Sequence, residues 1–183
     1  MWTAWSGDPR PGPDFLTGLP LRWEYTPGNW SRFCRQREIH EDAPSIALVN
    51  VLGLKWVNDR IDMGAGNQLL VDVARRLVAA TEGHALVARI GGNEFAIASG
   101  YEPQPLRGVL TAVDDVWSIA SRSMRVELMV GVAAVDDPSD EGWMTAILRA
   151  DRNLVAARAA WAVDPAHANW LSARDDDLRR GGY

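Results

Sequence analysis

The sequence predicts an α/β fold of the α+β kind, with helices covering a central mixed, mostly antiparallel sheet. Three observations support this prediction. Apolar residues recur with helical spacing in several segments, short β-branched runs of strand length lie between them, and a Gly-Gly pair separates two of these runs as in a hairpin. The resulting order is helix, strand, helix, strand, strand, helix, strand, helix, which is typical of a ferredoxin-like or palm arrangement.

Each element has its own local signal. Thr26 and Pro27 predict the start of a first helix that continues toward Glu41. The apolar run from 46 to 52 predicts a buried strand, and 64–80 an amphipathic helix. The hairpin strands are 85–90 and 95–98, followed by a helix from Pro105 to Ser121, a strand from Val126 to Ala133, and a last helix from Gly142 to Trp161 with Met144, Ile147, Leu148, Leu154 and Val155 facing inward.

Composition narrows the class of protein. The chain has 183 residues, of which 47% are hydrophobic, so one globular domain with its own core is expected. A net charge of −5 disfavours nucleic acid and anionic membranes as partners. Cys34 is the only cysteine, and the sequence contains neither a bilayer-spanning apolar run nor a signal peptide, so a cytoplasmic location is expected.

The composition also predicts three parts. Residues 1–13 are rich in proline and glycine and are expected to form an irregular arm, 14–161 form the domain, and 162–183 form a polar tail. Four tryptophans lie in or near the arm and could cover the core or form an interface, of which the interface is favoured: Trp2, Trp5, Trp23 and Trp30.

Five motifs, in order and at matching spacing, resemble those of GGDEF domains, the family of the diguanylate cyclases. The most specific are the opening Asp14-Phe-Leu-Thr-Gly-Leu-Pro-Leu-Arg22, the strand and loop Val49-Asn-Val-Leu-Gly-Leu-Lys-Trp-Val-Asn-Asp59, and the signature hairpin Ala88-Arg-Ile-Gly-Gly-Asn-Glu-Phe95. Val130-Gly-Val-Ala133 and the helix 149–158 complete the set. The resemblance covers about residues 14–161 and implies a GGDEF fold, with Gly91, Gly92, Asn93, Glu94 and Phe95 as the signature loop.

The resemblance implies a reaction in which two domains each hold one GTP and form cyclic di-GMP. Such chemistry needs a divalent metal, typically Mg²⁺ held by carboxylates and phosphate oxygens. The metal-site positions of the family fall on Asn50, Leu52 and Asn93, and only Glu94 keeps a carboxylate. An amide brings no negative charge and leucine cannot coordinate, so no metal cofactor is expected here unless GTP binding or activity is retained.

Nucleotide-binding positions are partly kept. Asn58 matches the residue that contacts guanine in the family, whereas Asn67 stands in place of its Asp partner. On the phosphate side, Lys55 and Arg158 remain cationic, while Trp161-Ala162 replaces the Gly-Arg of many family members. The main-chain N–H groups of Gly53 and Leu54 could also contact phosphates. The inhibitory Arg-x-x-Asp motif is absent, because positions 82 and 85 are Glu82 and Ala85.

Several alternatives stay open at this level. Asn50 and Asn93 are expected to bond to each other across the sheet, in preference to weak metal binding. The favoured function is a non-catalytic module that senses a nucleotide such as GTP or binds a protein, either a second copy or another partner. The alternatives are a weak diguanylate cyclase that uses Glu94, and a structural partner that pairs with an active cyclase.

Overall fold

The buried strand at the centre of the chain is also the centre of the sheet. The computed structural model describes residues 12–21, 26–37, 44–113, 115–119, 122–137 and 139–163. Along this part of the chain the elements are α1 (Pro27–Arg37), β1 (Ser45–Val51), α2 (Leu54–Arg60), α3 (Met63–Ala80), β2 (Ala85–Arg89), β3 (Glu94–Ser99), α4 (Pro103–Thr111), β4 (Asp115–Ile119), β5 (Arg122–Val126), β6 (Leu128–Ala134) and α5 (Asp140–Val163).

A four-stranded sheet has the order β2-β3-β1-β6, and every neighbouring pair in it is antiparallel. The strands β4 and β5 form a separate antiparallel pair. Helices cover the larger sheet, so the predicted α+β class is confirmed. The predicted arm and tail lie almost wholly outside the described residues, as do Glu41, Trp2, Trp5 and Trp23, and the three-part division stays a prediction.

Alternate residues of β1 divide the core in two. Ala47, Val49 and Val51 face a cluster that includes buried residues of α3 and α4. Ile46 and Leu48 face the other cluster, which includes buried residues of α1 and α5. A strand buried on both faces reads as a continuous apolar run, which is why the sequence reveals it so clearly.

Helix α3 is confirmed in position and orientation. Its start is fixed by Asp62, whose carboxylate accepts a hydrogen bond of 2.7 Å from the Ala65 N–H. Four of the residues predicted to face inward are buried: Leu69, Leu70, Val73 and Leu77. Trp30 of α1, by contrast, is only 3% exposed and stacks on Phe33, so its predicted interface role is wrong.

The helix predicted from Pro105 to Ser121 is wrong in its second half. Helix α4 ends at Thr111, and the chain then forms β4 and β5, while α2 was not predicted at all. Val113 and Trp117 fit a helical spacing, but the segment 115–119 contains Val116, Trp117 and Ile119, residue types that favour strands. Over so few residues the helical and strand patterns overlap.

The inward face predicted for α5 is also partly wrong. Met144, Leu148 and Val155 are 54%, 53% and 53% exposed, whereas the buried positions are Trp143, Ala146, Ala150 and Leu154. The cause is the close approach of the helix to β6. A Cβ atom on Gly131 would lie 2.1 Å from the Ala150 carbonyl oxygen and 2.4 Å from the Leu154 nitrogen, so the side of the helix that carries Ala150 and Leu154 faces the sheet.

Candidate functional site

The signature turn joins β2 to β3 and is fixed by one arginine. The N–H of Ile90 donates to the Glu94 carbonyl over 2.9 Å and closes the turn. The Arg89 guanidinium donates to the carbonyl oxygens of Gly91 and Gly92 over 3.2 and 2.8 Å. Phe95, the last signature residue, is fully buried in the core. The turn is therefore held at both ends.

Arg89 is in turn held by Asp14. Its Nη1 lies 3.0 and 3.1 Å from the two carboxylate oxygens, and the side chains are 13% and 9% exposed. Burial raises the pKa of Asp14, but hydrogen bonds from the Thr17 hydroxyl and N–H, together with Arg89, outweigh this effect and hold the pKa below its ordinary value. Asp14 therefore stays ionised opposite the guanidinium. Asp14 and Arg89 both lie in motifs that the sequence shows, but no local pattern predicts that they pair.

The amides at the family metal positions lie where β1 and β3 end. Asn50 pairs with Glu94 across the sheet and is only 5% exposed. The Asn93 amide Nδ2 donates to the Val51 carbonyl over 2.9 Å, and the Val51 N–H donates to the Asn93 carbonyl over the same distance. The predicted hydrogen bond between Asn50 and Asn93 is wrong. The Asn93 amide bonds to the main chain of Val51 instead.

Glu94 faces helix α5. Its Oε1 lies 3.8 Å from Nη2 of Arg158, and the two side chains are 46% and 40% exposed. Gly91 makes room for this carboxylate, since a Cβ there would lie 2.6 Å from Glu94 Oε2. The structure thus brings together two predicted site residues that are far apart in sequence, one from the signature loop and one from the closing helix.

Leu52, the second metal position of the family, is bonded through its main chain to Glu127, an acidic residue that the motifs do not include. The Leu52 N–H donates to the Glu127 carbonyl over 2.9 Å. The Glu127 side chain is 5% exposed, and its Oε2 accepts a hydrogen bond from Nε1 of Trp161. The available signal was a glutamate within an otherwise apolar predicted strand, because such a residue is rarely buried without a partner.

The predicted base-binding residues lie on α2 and α3. Asn58 Oδ1 is buried without a hydrogen-bond partner and packs against Gly66, where a Cβ would lie 1.8 Å away. Asn67 is exposed near the start of α3. Gly66, which sequence analysis did not select, is therefore needed for Asn58 to approach the helix.

The predicted phosphate-side residues surround the start of α2. Gly53 precedes the helix with φ of 88°, a conformation that favours glycine, and Leu54 is its first residue. The Lys55 side chain is 88% exposed and forms an ion pair with Asp59 one turn later. The positive charge of the Lys55 ammonium group is therefore balanced by the Asp59 carboxylate.

Comparison with known proteins gives the family. The family model for the diguanylate cyclase GGDEF domain matches residues 13–162. The chain belongs to the GGDEF family. The four-stranded sheet, the signature turn and the closing helix described above are thus those of a GGDEF domain, and the predicted family membership is confirmed.

Curated relatives of this GGDEF domain are diguanylate cyclases. TpbB of Pseudomonas aeruginosa is 36% identical over 84 residues, covering 46% of this chain and 19% of the relative. DgcP of Escherichia coli is 30% identical over 86 residues, covering 47% and 25%. The chain therefore spans a quarter or less of the curated relatives it matches.

Solved structures show the same fold. The isolated GGDEF domain of TpbB, also named YfiN, has a TM-score of 0.66 at 27% identity, with 81% of this chain and 89% of that chain covered. A sensory box/GGDEF family protein from Caulobacter crescentus has a TM-score of 0.65 at 26% identity, with 82% and 99% covered. In the part of this GGDEF domain that the structure describes, no helix has the length and apolarity to cross a membrane.

The side chains at the family metal positions do not fit Mg²⁺. This ion prefers carboxylate and phosphate oxygens in octahedral geometry. Here Asn50 is buried, the Asn93 amide is bonded to main chain, and Glu94 faces a guanidinium. Among the described residues, no group of three or more His, Cys, Asp or Glu side chains is arranged to hold a metal ion.

A groove of about 450 Å³ lies elsewhere, between α4 and α5. Its lining includes Arg107, Val132 and Ala157, together with Asn153, whose Nδ2 donates to the Val132 carbonyl over 2.8 Å. That bond satisfies a carbonyl of β6, which is the edge strand of the sheet. At this groove, α5 therefore covers part of the sheet edge formed by β6.

Proposed function

We propose that this chain is a non-catalytic GGDEF domain that acts as a protein-interaction module in cyclic di-GMP signalling. The observation that carries the proposal is the state of the two amides. Asn50 is 5% exposed, and the Asn93 amide donates a hydrogen bond to the Val51 carbonyl. Both positions are thus occupied by neutral groups that are buried or bonded to main chain, where the family chemistry needs carboxylates open to a cation.

The reaction itself explains why this matters. Joining two GTP molecules requires the 3′-hydroxyl of each to attack the α-phosphate of the other, and charge accumulates on the phosphate oxygens. A metal ion ordinarily neutralises that charge. Glu94 is the one carboxylate left at the family positions, and it is 3.8 Å from Arg158. A carboxylate opposed by a guanidinium is a poor ligand for a cation.

A surface on α5 supports the interaction role. Met144, Leu148 and Val155 are each more than half exposed, and their spacing of four and seven residues places them on one side of the helix. Asp151 lies on the same side between Leu148 and Val155, so this surface combines apolar side chains with a charge, as protein-binding surfaces commonly do. We name Met144, Leu148 and Val155 the α5 stripe. A second copy of the domain is the occupant that is simplest to test.

Nucleotide sensing is a second candidate, favoured by the geometry of Asn58. With its Oδ1 buried against Gly66, the amide presents Nδ2 as the group that can donate to a base. A guanine O6 is an acceptor of the matching kind. Asn67 of α3 would then act beside it on the base side, as the sequence predicts.

The test is a product assay. Purified protein is incubated with GTP and Mg²⁺, and cyclic di-GMP is measured by mass spectrometry, with Glu94→Ala as the matched variant. We expect no cyclic di-GMP from either protein. Formation of cyclic di-GMP that disappears in Glu94→Ala would establish the weak cyclase instead and overturn the proposal.

A further inference from the structure

Glu127 and Trp161 form a pair at the edge of the candidate site that neither the fold nor the proposed function requires. Glu127 lies immediately before β6, and its side chain is 5% exposed. Its carboxylate accepts the indole N–H of Trp161, which lies near the end of α5. A buried carboxylate is unfavourable unless a partner satisfies it, so the pair fixes both side chains.

The pair lies directly beside the turn that leads into α2. The Glu127 carbonyl accepts the N–H of Leu52, the residue before Gly53. One helical turn before Trp161, Arg158 contacts Glu94. The end of α5 therefore contacts residues on both sides of the end of β1, with Glu94 on the β3 side and Glu127 on the β6 side. The end of α5, with the Trp161 indole bonded to Glu127, therefore lies beside this end of the site.

Charge in this region opposes a polyphosphate. The two cations predicted to face phosphates each have a carboxylate partner already, Lys55 with Asp59 and Arg158 with Glu94. Glu127 adds one further carboxylate close to the same turn. Three carboxylates against two cations give a small negative charge, whereas triphosphate recognition needs an excess of cations or a metal ion.

We propose that the Glu127–Trp161 pair determines ligand specificity by closing the phosphate side of the site, so that the domain rejects nucleoside triphosphates and accepts at most a purine nucleoside. This inference deepens the proposed function and rests on it for the location of the site. The indole excludes the phosphates by its volume, and the buried carboxylate opposes them by its charge. Asn58 lies on α2, and its Oδ1 packs against Gly66 of α3, a contact that does not involve this pair.

The test is calorimetric titration with GTP and with guanosine, each with and without Mg²⁺. The wild type is compared with Trp161→Ala, which removes the indole, and Glu127→Gln, which keeps an oxygen for the indole N–H but removes the charge. We expect GTP affinity to rise at least tenfold in Trp161→Ala and severalfold in Glu127→Gln, with guanosine binding unchanged in both.

Folding of each variant is checked by circular dichroism, and Glu127→Gln keeps the test decisive if Trp161→Ala does not fold. The inference is overturned if folded variants bind GTP no more tightly than the wild type, or if GTP and guanosine gain equally. Its failure is separate from that of the proposed function, because the product assay reports turnover in the wild type and these titrations report a difference in binding between variants.

Discussion

The two sides of the signature turn are built from different chemistry. On the β2 side, a buried ion pair between Asp14 and Arg89 holds the Gly91 and Gly92 carbonyls. On the β1 side, the Asn93 amide bonds to the Val51 main chain. The first side maintains the shape of the turn with charges, and the second completes it with neutral groups. The signature turn therefore keeps its shape through contacts that involve no carboxylate at position 93.

The largest effect is expected on the charged side. Asp14→Ala leaves Arg89 buried without its carboxylate, which should lower the free energy of unfolding by about 3 kcal/mol. Asp59→Ala, which breaks the exposed pair with Lys55, is the matched control and should cost less than about 0.5 kcal/mol. Urea denaturation measures both. Similar losses in the two variants would show that the buried pair does not anchor the turn.

Low pH should destabilise the protein through the same ion pair less than Asp14→Ala does. Protonation neutralises the Asp14 carboxylate but leaves its side chain in place. The pKa of Asp14 is lower in the folded protein than in the unfolded chain, where it is about 3.9. Its contribution to stability is therefore complete above the unfolded pKa and is lost as the pH falls through the folded pKa. Chemical denaturation between pH 6 and about pH 3 should show a steeper loss in the wild type than in Asp14→Asn, and parallel curves would contradict the assignment.

A smaller effect is expected on the neutral side. Asn93→Ala removes the hydrogen bond to the Val51 carbonyl and should cost about 1 kcal/mol in thermal or urea unfolding. Asn93→Asp should be less stable than Asn93→Ala in metal-free buffer, because a carboxylate cannot donate to that carbonyl and repels it. If Asn93→Asp were as stable as the wild type, the hydrogen bond from the Asn93 amide to the Val51 carbonyl would not stabilise the turn.

The smallest effect on stability concerns the α5 stripe. Leu148 is 53% exposed, so Leu148→Lys should change the free energy of unfolding by less than about 0.5 kcal/mol. It should nevertheless abolish self-association in sedimentation velocity experiments, whereas Val163→Lys, at an 80% exposed position, should not. A wild type that remains monomeric at high concentration would exclude a second copy as the partner.

The sequence predicted the structural features that depend on residues close together along the chain, and it missed those that depend on contacts between distant elements. β1 and α3 were predicted because burial gives each a clear period along the chain. The signature residues were predicted because their motifs occur in register. The exposure of Met144 and Leu148 was missed because it depends on Gly131 of β6, which brings the side of α5 with Ala150 and Leu154 to the sheet.

The site shows the same division. Asn50, Asn93 and Glu94 could be placed from the motifs alone, but their partners could not. Asp14 and Arg89 are 75 residues apart, and Glu127 and Trp161 are 34 apart. No periodicity links residues at such distances, and β4 was misassigned as the end of a helix. Contacts between elements, and hence the charges that oppose one another, required the three-dimensional structure.

The central claim is that the family metal site no longer binds a divalent ion, and titration with Mn²⁺ followed by electron paramagnetic resonance tests it most directly. The wild type is compared with the double variant Asn50→Asp, Asn93→Asp, which restores two carboxylates. The account predicts that the wild type leaves Mn²⁺ free in solution and that the double variant binds it. Stoichiometric binding of Mn²⁺ by the wild type, lost in Glu94→Ala, would contradict the account.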